Sequence, residues 1–188
     1  MPRRPLIRSN QHFYHVYNRS NHKLWFSCSM DKVWEIAVNS LNHAYKKHPA
    51  VIAQFVLMNN HYHMLIRTPD KNLDKFMYEF GKNFSLKLRI ETKLINRMFA
   101  GRYKWSLIKD NNHLEKIFDY IYQNPIRAKV VAEAHYYPYS TAKRNNDELE
   151  FPIEKLYKLN SKKENLHDKE VVKISRSLKK CIYKLVKS

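Results

Sequence analysis

Two short stretches of this 188-residue chain group side chains that can do chemistry. The first is His61-Tyr62-His63. Side chains alternate between the faces of a strand, so His61, His63 and Leu65 share one face and Tyr62, Met64 and Ile66 the other. Two imidazoles on one face, about 7 Å apart at their α-carbons, can converge on a divalent cation. Two half-exposed histidines on a wetted strand give the same pattern. The second stretch is Asp119-Tyr120-Ile121-Tyr122-Gln123-Asn124-Pro125. On a helix Tyr120 and Asn124 are i and i+4, neighbours on one surface. A hydroxyl nucleophile and an amide oxygen could then address the same point in space. Tyr122 is directed elsewhere, towards the apolar Ile126. An ordinary amphipathic helix end has the same spacing.

The elements that must carry these groups are legible as a mixed α and β pattern. Residues 12–17 are aromatic and β-branched and read as a strand, followed by a polar turn over 18–23. Residues 30–47 carry Val33, Ile36, Ala37, Leu41 and Ala44 at helical spacing. Residues 51–58 read as a buried strand. Asn59-Asn60 reads as a turn in which asparagine tolerates positive φ, and the strand returns over 61–67. A helix over 72–94 lines up Leu73, Phe76, Phe80, Phe84 and Leu88. A fourth strand is expected at 103–108 and a helix at 110–123, with Asn112 and Glu115 as a capping box and Pro125 ending it. The order β-α-β-β-α-β predicts an α+β, ferredoxin-like split βαβ fold with a central antiparallel sheet.

Composition narrows the partner. Thirty-five basic against 17 acidic residues leave a formal charge of +18, which points to a polyanion. With 2 glycines, far apart at Gly81 and Gly101, no glycine-rich phosphate loop can form. Cys28 and Cys181 make no metal-binding pair, and a reduced cytoplasm is expected. No apolar run reaches the roughly 20 residues of a membrane span. The expected division is a mixed α and β domain over 1–150, the part to which the resemblance described below assigns catalysis, and a basic helical C-terminal extension over 151–188. Residues 153–188 hold 11 Lys/Arg and 4 Asp/Glu, with an apolar stripe at Leu178, Ile182, Leu185 and Val186.

Taken together, the two constellations resemble a known family. The stretch VLMNNHYHMLI resembles the first-histidine signature of the single-tyrosine HUH transposases. The stretch FAGRYKWSLIKDNNHLEKIFDYIYQNPIRAKVV resembles their downstream GRYKS…YIHLNPVRAGLV block. Order and spacing also match, over about residues 12–143, and the REP-associated tyrosine transposases are the nearest branch. One departure precedes the first histidine, where the family often has Pro-Asn and this chain reads Asn-Asn. The tail after about residue 150 has no counterpart.

The resemblance implies roles position by position. His61 and His63 match the metal ligands, Tyr120 the nucleophile and Asn124 the third ligand, with Mg²⁺ or Mn²⁺ as the cofactor. The implied reaction cleaves and rejoins single-stranded DNA near hairpins through a 5′-phosphotyrosine. The implied setting is a nucleoid-associated protein of the cytoplasm, monomer or homodimer, with no membrane partner. Arg19, Lys23, Arg67, Arg102, Lys104 and Arg127 are candidates for phosphate contacts. Tyr14, Tyr17, Tyr103 and Trp105 are candidates for stacking on unpaired bases. Two rivals use the same residues: a catalytically silent nucleic-acid-binding protein of this fold, and a metal-dependent nuclease that attacks with water.

Overall fold

The computed structural model describes residues 5–95 and 97–142. The basic extension expected over 151–188 lies outside the described residues. Four strands, β1 (Tyr14–Arg19), β2 (Val51–Leu57), β3 (His61–Arg67) and β4 (Lys104–Leu107), form one sheet in the order β2-β3-β1-β4. Every pairing is antiparallel. Between the strands run α1 (Met30–Lys47) and α2 (Leu73–Thr92), and after β4 come α3 (Asn111–Tyr122) and the single turn α4 (Asn124–Arg127). This is the α+β, ferredoxin-like split βαβ arrangement expected from the order of elements. Among the described residues no helix is long and apolar enough to cross a membrane.

The two faces of the sheet do different work. Tyr14 and Val16 on β1 pair with Ile66 and Met64 on β3, so all four point the same way. They join the α2 stripe Leu73, Phe76, Phe80, Phe84 and Leu88, every one fully buried, in the main core. Trp34 and Leu41 close it from α1. Ser29 caps α1, its side chain accepting from the Lys32 N–H. The same register turns His15, Tyr17 and Arg19 to the other face with Leu65, His63 and His61.

A bulge between Ile52 and Gln54 resets the alternation on β2. Ile52, Phe55 and Leu57 therefore all enter the main core. Gln54 pairs with Leu65 and Val56 with His63, on the histidine face. There α3 covers the β2–β3 half of the sheet, burying Val56, Leu65 and Ile121. The β1–β4 half is left open. The outer edge of β2 is covered by the chain returning after α4. Leu57 N–H donates to Tyr139 O (2.9 Å), Thr141 N–H to Phe55 O (3.0 Å) and the Tyr137 hydroxyl to Leu57 O (2.8 Å).

Several local expectations are corrected. Strand β1 starts two residues later than expected and runs on to Arg19, so the polar segment turns only at the 3₁₀ turn Asn21–Lys23. Asn59 and Asn60 turn without positive φ; among the described residues the left-handed ones are His22, Lys23, Lys71, Lys93 and Lys129. The cap of α3 is Asp110, whose carboxylate accepts from His113 N–H at 2.8 Å. Asn112 is already inside the helix. Pro125 does not end helical structure either, because it opens α4 near its first position, where a missing N–H costs nothing.

Candidate active site

Strand β3 and the consecutive helices α3 and α4 bring the four chemistry-bearing residues together. On β3, His61 and His63 stand with ring centroids 5.2 Å apart and planes nearly perpendicular. Asn124 presents Oδ1 to His61 Nε2 at 3.3 Å. The Tyr120 ring stands edge-on to His63, centroid to centroid 5.5 Å. Residues some 60 positions apart in the chain thus meet on the histidine face, with His63 and Asn124 buried and His61 and Tyr120 half-exposed.

Each histidine has its Nδ1 engaged by a neighbour. His61 Nδ1 lies 2.7 Å from Asn60 Oδ1. Asn60 is itself anchored, its Nδ2 donating to Lys23 O at 2.7 Å. His63 Nδ1 lies 2.9 Å from His15 Nε2, and the two rings stack. For His63 Nε2 to offer a lone pair, its Nδ1 must carry the proton and donate to His15. This is the arrangement in which a neighbour fixes a ligand's tautomer and ring orientation. His15 joins the candidate site through this contact, and reading the sequence missed it. Its signal was its parity: on the central strand it shares a face with Tyr17 and, across β3, with the histidine pair.

The donor set suits a hard divalent cation. Among the described residues no trio of His, Cys, Asp and Glu gathers at one point, so a third protein ligand has to be an amide. Adjacent donors on an octahedral ion, each at about 2.1 Å, stand about 3 Å apart, and His61 Nε2 and Asn124 Oδ1 stand 3.3 Å apart. His61 Nε2, His63 Nε2 and Asn124 Oδ1 would supply two imidazoles and an amide oxygen, leaving the remaining positions to water and phosphate.

Electrostatics keep the imidazoles neutral, as ligands must be. Burial lowers His63 to about 3, with His15, His61 and Arg19 adding to the effect. Burial, then His113, lowers His15 to about 4. Burial, then the Arg19 charge, lowers His61, against the opposing bond to Asn124. A histidine depressed on folding contributes its full stability above the unfolded value of 6.5 and loses it as pH falls towards the folded value. At pH 5 one histidine like His63 costs about 2 kcal/mol. Metal-free protein is therefore expected to lose urea resistance between pH 7.5 and pH 5, and His63→Gln to flatten that fall. A wild-type profile level across this range would contradict the burial described.

Gln54 ties the sheet to the helix that carries Tyr120. It is 1% exposed. With its amide oriented to satisfy both ends, Nε2 donates to Phe118 O at 3.1 Å and Oε1 accepts from Tyr122 N–H at 3.2 Å. An uninterrupted helix bonds that carbonyl and that N–H to each other. Tyr120 sits midway between them. Gln54→Ala is expected to cost about 1–3 kcal/mol and to lower the turnover of the folded protein more than its DNA affinity. A loss of stability alone, with turnover per folded molecule unchanged, would make Gln54 purely structural.

The candidate DNA contacts divide. Arg19, Lys23, Arg102 and Lys104 line a cleft of about 960 Å³ that also holds His61, His63 and Tyr120. Tyr17 faces this cleft, its ring 5.6 Å from His63, with Lys104 Nζ 6.0 Å from its centre. Arg127 lies over the Tyr120 ring, guanidinium carbon to centroid 5.2 Å. Arg67 does not belong with them: it sits at the far end of β3, over the Phe13 ring at 5.5 Å.

Three stacking candidates are likewise displaced. Tyr14 is fully buried in the main core, its hydroxyl donating to Ile7 O at 2.9 Å. Tyr103 packs against the core. Trp105 pairs with Val16 and packs against the core as well, although part of it borders the cleft. Alternation along β1 and β4 decides this, and only Tyr17 has the parity of the site.

No family model matches the sequence, and no curated protein matches it. Solved structures do. The chain shares its fold with a REP-associated tyrosine transposase whose structure was determined bound to a REP hairpin: 20% identity, 75% of this chain, 81% of that one, TM-score 0.59. A candidate transposase from Deinococcus radiodurans R1 aligns at 12% identity over 64% of this chain and 94% of that one, TM-score 0.42. A tRNA(His) guanylyltransferase from Saccharomyces cerevisiae aligns at 12% identity over 61% and 58%, TM-score 0.41.

Proposed function

We propose that the chain is a DNA strand transferase of the single-tyrosine HUH kind, nearest the REP-associated branch, which cuts and rejoins single-stranded DNA beside a hairpin. The observation that supports this best is the meeting of Tyr120, the His61–His63 pair and Asn124 at one wall of an open basic cleft. The shared fold with a transposase solved on a REP hairpin supports the choice of substrate.

The chain's own groups account for the chemistry. Single-stranded DNA lies across the open β1–β4 half of the sheet, its phosphates drawn by Arg19, Arg102 and Lys104. His15 and Asn60 engage the two Nδ1 atoms, which leaves the Nε2 atoms as the nitrogens for a cation, and Asn124 adds its amide oxygen. His61, His63 and Asn124 would hold Mg²⁺ or Mn²⁺, which when bound would supply Lewis-acid activation of the scissile phosphate. The Tyr120 oxygen attacks phosphorus in line, forming a Tyr–O–P bond and giving its proton to solvent. The P–O3′ bond breaks, and the departing 3′ oxygen takes up a proton. A 3′ hydroxyl attacking the phosphotyrosine runs the same steps backwards and joins strands.

The test is cleavage of end-labelled hairpin oligonucleotides by the full chain. Cutting of the single-stranded flank that needs Mg²⁺ or Mn²⁺ and leaves a free 3′ hydroxyl is expected. Cleavage of plain duplex, or metal-dependent binding with no cleavage of any single strand, would overturn the reading.

A further inference from the structure

Trp25 is 71% exposed and Leu24 66% exposed, and they directly follow His22 and Lys23, which line the cleft of the candidate site. Two such apolar side chains in succession are unusual on a free surface, and the backbone beneath them is firmly held. Ser20 N–H donates to Asn60 O (2.7 Å), Asn21 N–H to Met98 O (2.9 Å) and Phe26 N–H to Asn59 O (2.9 Å). Asn60 Nδ2 donates to Lys23 O at 2.7 Å, and the Ser20 hydroxyl donates to Leu24 O. Phe26, the next residue, is buried against Phe84 and Phe99.

The route into this step is strained. His22 and Lys23 both take left-handed φ, 53° and 59°, which non-glycine residues seldom do. Asn59 and Asn60, which anchor the segment, lead directly into His61, and the side chains of His22 and Lys23 reach the same cleft as the histidines. The fold therefore holds an indole out in solvent, within two residues of a cleft-lining lysine.

We infer that Trp25 is a stacking platform for an unpaired nucleobase of the strand held in the cleft. The inference rests on the reading of the chain as a single-stranded DNA enzyme and names one contact within it. The charge beside the platform, Arg19 and Lys23, suits the backbone of a nucleic acid. A flat, exposed indole suits any base, because every base presents a π-face. Leu24 widens the apolar step. Of the three tryptophans, Trp34 is buried in the main core and Trp105, which also borders the cleft, is half-buried against that core; Trp25 is the most exposed.

The experiment is metal-free binding of full-length protein to a hairpin oligonucleotide with single-stranded flanks, read by anisotropy across a salt series. Trp25→Ala is expected to weaken binding by between about 5- and 100-fold with an unchanged salt slope. Trp25→Phe should retain most of the affinity. Lys23→Ala should instead shallow the salt slope by about one. Tryptophan fluorescence should become shielded from iodide when the oligonucleotide is added, and Trp25→Ala should remove that change. Wild-type binding left intact by Trp25→Ala would overturn the inference while the DNA-enzyme reading stands. So would an equal loss on blunt duplex, or a shift from dimer to monomer by sedimentation with affinity unchanged, which would make the step an interface between copies. Absence of any single-strand binding by the wild type would overturn both.

Discussion

Tyr120→Phe is expected to lower single-strand cleavage by about a thousandfold or more while leaving DNA affinity within a few-fold of wild type. The substitution removes one oxygen atom. The ring keeps its edge-on contacts with His63 and His15 and its place under Arg127, so the fold and the cleft have no reason to change. The Tyr120 hydroxyl makes none of the hydrogen bonds that hold the site: those run through Asn60, His15, Asn124 and Gln54. A large effect on rate without an effect on stability or binding is the signature of a group that reacts. Tyr122 is the matched control. It sits on the same helix, with its N–H on Gln54, but two residues round from the cleft. Tyr122→Phe should leave cleavage within a few-fold of wild type. Equal losses in the two variants would contradict the assignment.

His63→Ala is the second large effect. It removes a proposed metal ligand, and it also leaves His15 Nε2 facing a void at a site where His63 is 6% exposed. Loss of an outer-shell partner of a metal ligand costs about 10- to 100-fold in affinity or activity, and loss of the ligand itself is expected to exceed that. Calorimetric titration with Mn²⁺ should show binding by the wild type and a weakening of more than a hundredfold in His63→Ala. His15→Phe should fall inside the outer-shell range. A wild type that binds no Mn²⁺, or a His63→Ala that cleaves normally with Mg²⁺, would remove the cation from the account.

Much of the fold could be read from the chain because its patterns are local and strong. The α2 stripe of Leu73, Phe76, Phe80, Phe84 and Leu88 is fully buried as its spacing demands, and α1 and β3 begin and end where their patterns do. The i, i+4 relation of Tyr120 and Asn124 survives although the helix breaks between them, because Pro125 starts a new turn rather than an extended segment. What escaped was whatever depends on pairing between distant strands. The Ile52–Gln54 bulge reverses the parity of an almost uniformly apolar strand, and nothing in VIAQFVL marks it except the single glutamine. His15 becomes part of the site only through the register Tyr17–His63. The same register sends Tyr14 and Trp105 to the core. Residue type alone made them look like stacking groups, and strand parity decides otherwise. Trp25 was hidden for a different reason, since its exposure follows from a loop pinned by Asn59 and Asn60 rather than from any periodic pattern.

In the proposed reaction Tyr120 becomes covalently joined to DNA. The measurement that reaches it most directly is incubation of the full chain with a hairpin oligonucleotide and Mn²⁺, separation under denaturing conditions, and mass analysis of the proteolysed adduct. The predicted result is a metal-dependent protein–DNA species that survives SDS, with a 5′-phosphonucleotide on the peptide containing Tyr120, and no such species from Tyr120→Phe. Cleaved DNA without an adduct would make water the nucleophile, and an adduct on Tyr122 or any other residue would contradict the assignment of Tyr120.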